Sequence, residues 1–270
     1  MLLWLILLTL TNNLSSVGQI NLINVRQVFM MSVSGSQSQE ELSGFIGNPS
    51  HLAGQKKRAL GAGAWQNQTL SIQNALFYYG GKLNNVKLAA LIMKSGTAYF
   101  SDEVLSITVA KSFSDKLNLG TRFNVCRRAA TGYRSSILYY ADLGLSMEVN
   151  DRCHLGLVLM NPFYFLFGEK RTDSFLSSAL TAGIAYEISD DCVIFLECNK
   201  MPRFPLEILG KLTYKPHKAL SVGYAVTPIR LRHQLFVNLI GKKIAYRMSF
   251  SYQFATGLDS GILVSKTGEE

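Results

Sequence analysis

The chain alternates apolar side chains with small or polar ones over about fourteen segments, which fill the region from Ala59 to Ser265. The clearest segment runs from Ile244 to Phe254, where the even positions are large and apolar and the odd positions are Ala, Arg, Ser, Ser and Gln. Because the side chains of a strand point alternately to its two faces, such a segment has one apolar face and one polar face. The pattern predicts an all-β protein.

Two all-β architectures fit this alternation: a soluble sandwich with its apolar faces inward, and a transmembrane barrel with its apolar faces toward lipid. The length of the segments favours the barrel, since a tilted strand needs roughly 9–11 residues to cross a bilayer and globular strands commonly have about 5–6. Tight polar turns, as at 150–152 and 189–191, also alternate with longer connections, as at 129–135. We therefore predict a transmembrane antiparallel β-barrel of about 14 strands.

The start of the chain predicts export. Residues 1–18 combine a short apolar run with the small residues Ser16 and Gly18, which are spaced as at a signal-peptidase site. A buried first helix is the alternative for this segment. An exported barrel with short turns at one rim is typical of the outer membrane of a Gram-negative bacterium, which is the predicted location.

The rest of the chain divides into two parts. Residues 19–55 are rich in Ser, Gly and Gln and alternate poorly, whereas residues 56–270 carry the strands of the predicted barrel. The first part contains a Pro-centred turn flanked by apolar residues. We predict that this segment is a plug that enters the lumen, and an exposed periplasmic tail is the alternative. The candidate gate residues of the plug are Asn48, Pro49 and Ser50.

Charge adds to the prediction of a barrel. The net charge is +9, but the basic residues are scattered and no nucleic-acid motif accompanies them, so we expect no nucleic-acid partner. Anionic lipid head groups or a charged lumen account for the balance. Several ionisable residues lie on the polar face of their segments, and the candidates for the lumen are Asp142, Glu148, His154, Glu187, Glu207, Lys211 and Arg247.

The sequence contains no recognisable catalytic, metal or cofactor site. The four histidines are dispersed, without the helical pair or Cys/His spacing of a metal centre. An enzymatic hypothesis rests on His154, which faces inward and would meet a serine of a neighbouring strand, as in a membrane-barrel lipase. A lumen histidine bonded to water is the simpler interpretation, so we expect a protein that is not an enzyme.

Two motifs resemble a known family. The element from Asn48 to Ala53, Asn-Pro-Ser-His-Leu-Ala, lies before the first strand, and a turn leads into Leu117–Gly120, Leu-Asn-Leu-Gly, a start that recurs in related form. These features resemble the FadL-type barrels, and the length and short loops are similar to those of their PorV/PorQ-like relatives in Bacteroidetes. The family's Asn-Pro-Ala stands here as Asn-Pro-Ser. The resemblance implies fourteen strands, an N-terminal plug, and either uptake of hydrophobic compounds or an accessory role in type IX secretion.

The sequence thus favours a non-enzymatic accessory subunit of a protein export or surface-assembly machine. Its expected partners are outer-membrane lipid and other envelope or secretion proteins. The alternative is a FadL-like passive channel for small hydrophobic molecules, gated by the segment around Asn48.

Overall fold

The computed structural model describes residues 31–34, 44–55, 57–83, 85–162, 178–202 and 204–267. These residues form fourteen strands, two single-turn α-helices, α1 (Gly44–Gly47) and α2 (His51–Gly54), and one 3-10 helix, Pro228–Arg230. The strands are β1 (Ala59–Asn67), β2 (Ile72–Leu83), β3 (Val86–Gly96), β4 (Phe100–Ser114), β5 (Leu117–Ala130), β6 (Ser136–Asn150), β7 (Cys153–Met160), β8 (Ala179–Ser189), β9 (Cys192–Lys200), β10 (Glu207–His217), β11 (Leu220–Thr227), β12 (Arg232–Ile240), β13 (Ile244–Gln253) and β14 (Gly257–Thr267).

The strands form one closed antiparallel barrel. Each strand pairs with its neighbours in the chain, and β1 pairs with β14 from Ala59 opposite Thr267 to Asn67 opposite Asp259. Closure satisfies the backbone N–H and C=O groups of both would-be edge strands, which a bilayer requires. The predicted all-β barrel of about 14 strands is therefore confirmed.

The two rims of the barrel differ in the length of their connections. One rim, the turn rim, has five turns of two residues and one of three, together with the start of β1 and the end of β14. The other rim, the loop rim, has connections of three to eighteen residues, the longest of which joins β7 to β8 across residues 161–178. In outer-membrane barrels the short turns are periplasmic and the longer loops are extracellular.

The two faces of the wall follow the sequence pattern. Exposed apolar residues such as Ile92, Ile107 and Phe123 point outward, whereas their neighbours on the same strands, such as Thr108 and Asn124, are buried inside. Many of the enclosed polar groups are hydrogen-bonded to one another, as Asn124 is to Ser106 and Asp142, and the apolar groups face the hydrocarbon of the membrane. The described helices include none that is long and apolar enough to cross a membrane.

Part of the N-terminal segment lies inside the barrel. Residues 31–34 and 44–55, which include α1 and α2 and are together called the plug here, pack against the inner wall, with α2 in contact with β3, β4 and β5. The rings of Phe45 in α1 and Tyr78 in β2 meet edge to face, with their centroids 5.4 Å apart. The inner face of β2 accordingly carries the apolar side chains of Leu76 and Tyr78, because the apolar plug covers it. The predicted signal peptide, residues 1–18, lies outside the described residues, and the boundaries proposed for the plug remain predictions.

Candidate functional site

The wall beside the plug has no side chains at four adjacent positions. Four glycines form two directly opposed cross-strand pairs, one on β5 and β6 and the other on β7 and β8. We call them the glycine row: Gly120, Gly144, Gly156 and Gly183. A Cβ atom on the first would collide with the carbonyl group of Pro49, and one on the third with the carbonyl of Val33. The plug main chain thus approaches the wall where glycine leaves room for it.

Asn48 joins three segments through its side-chain amide, which is fully buried. Its Nδ2 donates to the carbonyl oxygen of Val33 at 2.7 Å and to that of Leu145 in β6 at 3.0 Å. Its Oδ1 accepts from the backbone N–H of Ser50 at 3.1 Å and from the Ser50 hydroxyl at 2.8 Å. The amide therefore uses both of its donors and both acceptor positions, and it holds the turn before α2 against the wall. Pro49 lies between these residues, over Gly120.

A buried arginine binds the plug from β5. Arg122 is only 1% exposed, and its Nε and Nη2 each lie 3.0 Å from Oδ2 of Asp142 in β6. Its Nη1 donates to the carbonyl oxygens of Ile46, at 2.8 Å, and Phe45, at 3.3 Å. The carboxylate balances the guanidinium charge, and the guanidinium supplies donors that the carbonyls at the end of α1 otherwise lack.

A second charged residue binds the plug from β9. Glu197 accepts hydrogen bonds through Oε1 from the Ser32 hydroxyl at 2.6 Å and from the backbone N–H of Val33 at 2.9 Å. Charge-assisted bonds of this kind are among the stronger hydrogen bonds in proteins. Residues 31–34 are therefore fixed between Glu197 on one side and the side chain of Asn48 on the other.

The opposite wall, from β10 to β13, fills the lumen with its own side chains. The Nζ of Lys211 lies 4.4 Å from the ring centroid of Phe195 and 5.1 Å from that of Phe236. The guanidinium carbon of Arg247 lies 5.0 Å from the Phe236 ring, and its Nε donates to Oδ1 of Asn238 at 2.6 Å. Cations above aromatic faces are stabilised by the ring quadrupole, most strongly where water is excluded.

The other predicted lumen residues lie nearer the rims. Near the turn rim, Nε2 of His154 is 3.6 Å from Oε1 of Glu187, and Glu148 is the direct cross-strand neighbour of His154. Near the loop rim, Glu207 forms an ion pair with Arg230, which belongs to the connection between β11 and β12. The structure thus brings Asp142 into the plug site, together with the three candidate gate residues. These other candidates lie nearer the rims, although His154 is close enough to influence the pKa of His51 in the plug.

Sequence reasoning missed Arg122 and Glu197, the two charged residues that bind the plug directly. Each has the parity of the polar face of its strand, next to outward-facing residues such as Phe123 and Leu196. That parity was the available signal. Among the described residues there is no group of His, Cys, Asp and Glu side chains that could hold a metal ion.

Burial changes the pKa of one plug residue. His51 begins α2 and is enclosed by the barrel wall, and burial lowers the pKa of its imidazole from 6.5 to about 4. Backbone contacts with Gly44 and Val33 and the charge of Glu197 act in the opposite direction but are smaller. The seated plug therefore holds a neutral histidine at neutral pH.

Fold and site together define a closed, fourteen-stranded β-barrel of the outer-membrane kind, with a plug in its lumen. No protein-family model matches the chain, and no curated protein matches it either. Among solved structures, the chain is similar to the CymD monoaromatic hydrocarbon channel, with 11% identity, a TM-score of 0.63 and coverage of 91% of this chain and 97% of that one. It is also similar to the toluene transporter TodX of Pseudomonas putida, with 11% identity, a TM-score of 0.60 and coverage of 89% and 97%.

Proposed function

We propose that this protein is a passive outer-membrane channel for small hydrophobic molecules and that the plug is its gate. The observation that carries the proposal is how the plug is held. Its described residues belong to no strand of the wall. The plug's own Asn48 and the wall residues Arg122 and Glu197 make the hydrogen bonds that hold it against the glycine row. Such a segment can move without breaking the hydrogen bonds that close the barrel.

The interior of the barrel also suits a hydrophobic solute. A pore for polar solutes is lined by polar groups. Here the plug and the inner faces of β2, β3 and β4 form an apolar cluster. Its members include Phe45, Ile46, Leu52, Tyr78, Leu91, Met93 and Val104. A solute that displaces part of the plug would meet this apolar surface rather than bulk water.

The comparisons support the same proposal. CymD is named as a monoaromatic hydrocarbon channel and TodX as a toluene transporter. These neighbours are channels, which favours the passive channel over the accessory subunit that the sequence analysis preferred, and over an enzyme. An accessory role in type IX secretion, the PorV/PorQ-like assignment and a source in Bacteroidetes remain predictions without support from the described residues.

The test exchanges one buried amide for a carboxylate at each wall of the lumen. Asn48→Asp replaces the two N–H donors that hold Val33 and Leu145, and it places a carboxylate against both carbonyl oxygens. The matched control is Asn238→Asp, which lies beside Arg247 and makes none of the plug bonds described above. Both variants and the parent would be expressed in a porin-deficient Gram-negative host, and uptake of radiolabelled toluene and of arabinose would be measured.

We expect the parent to raise toluene uptake above that of cells without the protein. Asn48→Asp should change this rate several-fold, because two hydrogen bonds worth roughly 1 kcal/mol each are lost and two carbonyls are left without donors. Asn238→Asp should leave the rate near that of the parent. Absence of any toluene uptake by the parent would refute the channel. If stoichiometric envelope proteins then co-purified in mild detergent, the accessory-subunit hypothesis would be preferred.

A further inference from the structure

The charges of the turn rim are divided between two halves of the barrel. From β10 through β14 and β1 to β3, the described turns and strand ends at this rim carry exposed basic residues and no acidic residue. We call this set the basic arc: Lys57, Arg58, Lys82, Lys218, Lys242, Lys243 and Lys266. The remaining turns of the rim carry both signs: Asp115, Lys116, Asp151, Arg152, Asp190 and Asp191. Among the described residues of this rim, the excess of positive charge therefore lies on one side.

The basic arc lies where the apolar outer band of the barrel ends. Lys266 in β14 is the direct cross-strand neighbour of Leu60 in β1 and of Ile244 in β13, and all three side chains are exposed on the outer face. Tyr79 in β2, also exposed, lies beside Leu60. An amine in a row of lipid-facing side chains, with a tyrosine in the same row, marks the level of the lipid head groups. A lysine there can bury its methylene stem in the apolar band and extend its ammonium group to the interface.

The form of the arc favours lipid over protein. Its turns have two or three residues, so they offer no projecting surface on which a protein partner would dock. Six of the seven residues are lysines, which act as mobile point charges rather than as planar forks that match one carboxylate. A row of such charges at the membrane level suits many singly charged phosphodiester groups that exchange with one another. Glu269 and Glu270 follow in the sequence, outside the described residues. Their two negative charges are fewer than the seven positive charges of the arc, so the excess remains positive.

We propose that the basic arc binds the phosphate groups of anionic phospholipids in the leaflet that surrounds the turn rim. In an outer-membrane barrel this is the periplasmic leaflet. A lysine or arginine near an anionic membrane surface favours binding by roughly five-fold, which corresponds to about 1 kcal/mol. The lipid would collect along β10 to β3 and not around the mixed rim from β4 to β9.

The test uses the full chain in nanodiscs of phosphatidylcholine with and without phosphatidylglycerol. Native mass spectrometry would count the phosphatidylglycerol molecules retained by each barrel, and the thermal midpoint of unfolding would be measured in both lipids. The arc variant is Lys242→Gln with Lys243→Gln and Lys266→Gln. The matched control removes the same number of exposed positive charges from the other half of the same rim, through Lys111→Gln, Lys116→Gln and Arg152→Gln.

We expect phosphatidylglycerol to be retained by the parent and the control, and at least ten-fold less by the arc variant. The gain in thermal midpoint should follow the same order. Should the triple variant fail to fold, the parent alone decides: 0.5 M NaCl must abolish most of its preference, since exposed charges are screened at this ionic strength. Equal loss in both variants, or retention by the arc variant, would overturn the proposal. So would an acidic protein that binds the parent but not the arc variant while lipid retention stays unchanged.

Discussion

The two walls of the lumen are built from the same alternating pattern, yet they fill the interior in different ways. The wall from β5 to β9 presents the glycine row, and the plug main chain occupies the space that side chains would take. The wall from β10 to β13 presents Lys211, Phe236 and Arg247, whose side chains fill the lumen themselves. On the second wall a glycine leaves room for a side chain instead of for the plug, because a Cβ on Gly223 would collide with the Phe236 ring. The lumen is thus filled by a separate segment of the chain on one side and by side chains of the wall on the other.

Charge is also handled differently on the two walls. Arg122 has an ionised partner, Asp142, and also binds plug carbonyls, so the wall and the plug share one polar network. Arg247 contacts the neutral Asn238 and the Phe236 ring, and Asn238 in turn donates to Ser221 in the same wall. A substitution of Arg122 should thus change both the barrel and the plug, whereas one of Arg247 should affect the barrel alone.

The largest effect is expected when the arginine of each wall is replaced. Arg122→Met leaves Asp142 buried without its cation, and removing one partner of a buried ion pair costs roughly 3–5 kcal/mol. Arg247→Met should cost roughly 1–2 kcal/mol, because the partner left behind is neutral. Urea unfolding of the bilayer-embedded barrel, followed by the fluorescence of Trp65, gives both values. Equal losses at the two sites would mean that the plug wall has no special dependence on its ion pair.

An intermediate effect is expected from adding a single methyl group to the glycine row. Gly156→Ala places a Cβ against the carbonyl of Val33, so the plug must shift, and overpacking of this kind costs roughly 1–3 kcal/mol. Hydrogen exchange of the amides in residues 44–55 should become correspondingly faster. The matched control is Gly210→Ala in β10, where a Cβ would meet nothing within 4 Å. Faster exchange of the plug amides in the control, or unchanged exchange in Gly156→Ala, would contradict the packing of the plug on the glycine row.

The sequence predicts the barrel better than it predicts the site. Alternation reports the two faces of a wall, so strands such as Ile244–Gln253 could be placed closely before the structure was known. The repeated Leu-x-Leu-Gly start was visible too, but its purpose depends on the close approach of a distant segment, as at Gly120 and Pro49. Arg122 was missed for the same reason, since it binds backbone carbonyls that have no signature in the sequence.

The finest test of the contrast between the walls is a dependence of plug seating on pH through His51. A displaced plug would carry a histidine with an ordinary pKa of 6.5, whereas the seated histidine has a pKa of about 4. Between these two pH values the displaced plug binds a proton at His51 that the seated plug does not bind. The free energy of seating is therefore greatest above pH 6.5, falls as the pH decreases to about 4, and is constant below that. Allowing for the part of the ring that water reaches, we expect a loss of about 2 kcal/mol.

Conductance in planar bilayers measures this loss as the fraction of time for which the barrel is open, which should rise about thirty-fold between pH 7 and pH 4. The charges of Glu197 in β9 and His154 in β7 also act on His51. The pH dependence of the open fraction is therefore compared between variants. His51→Gln should remove most of the pH dependence, since glutamine does not titrate, whereas His154→Gln should leave most of it in place. If His51→Gln kept the full pH dependence, the titrating group would lie elsewhere in the lumen, and the plug wall would respond to acid through its carboxylates instead.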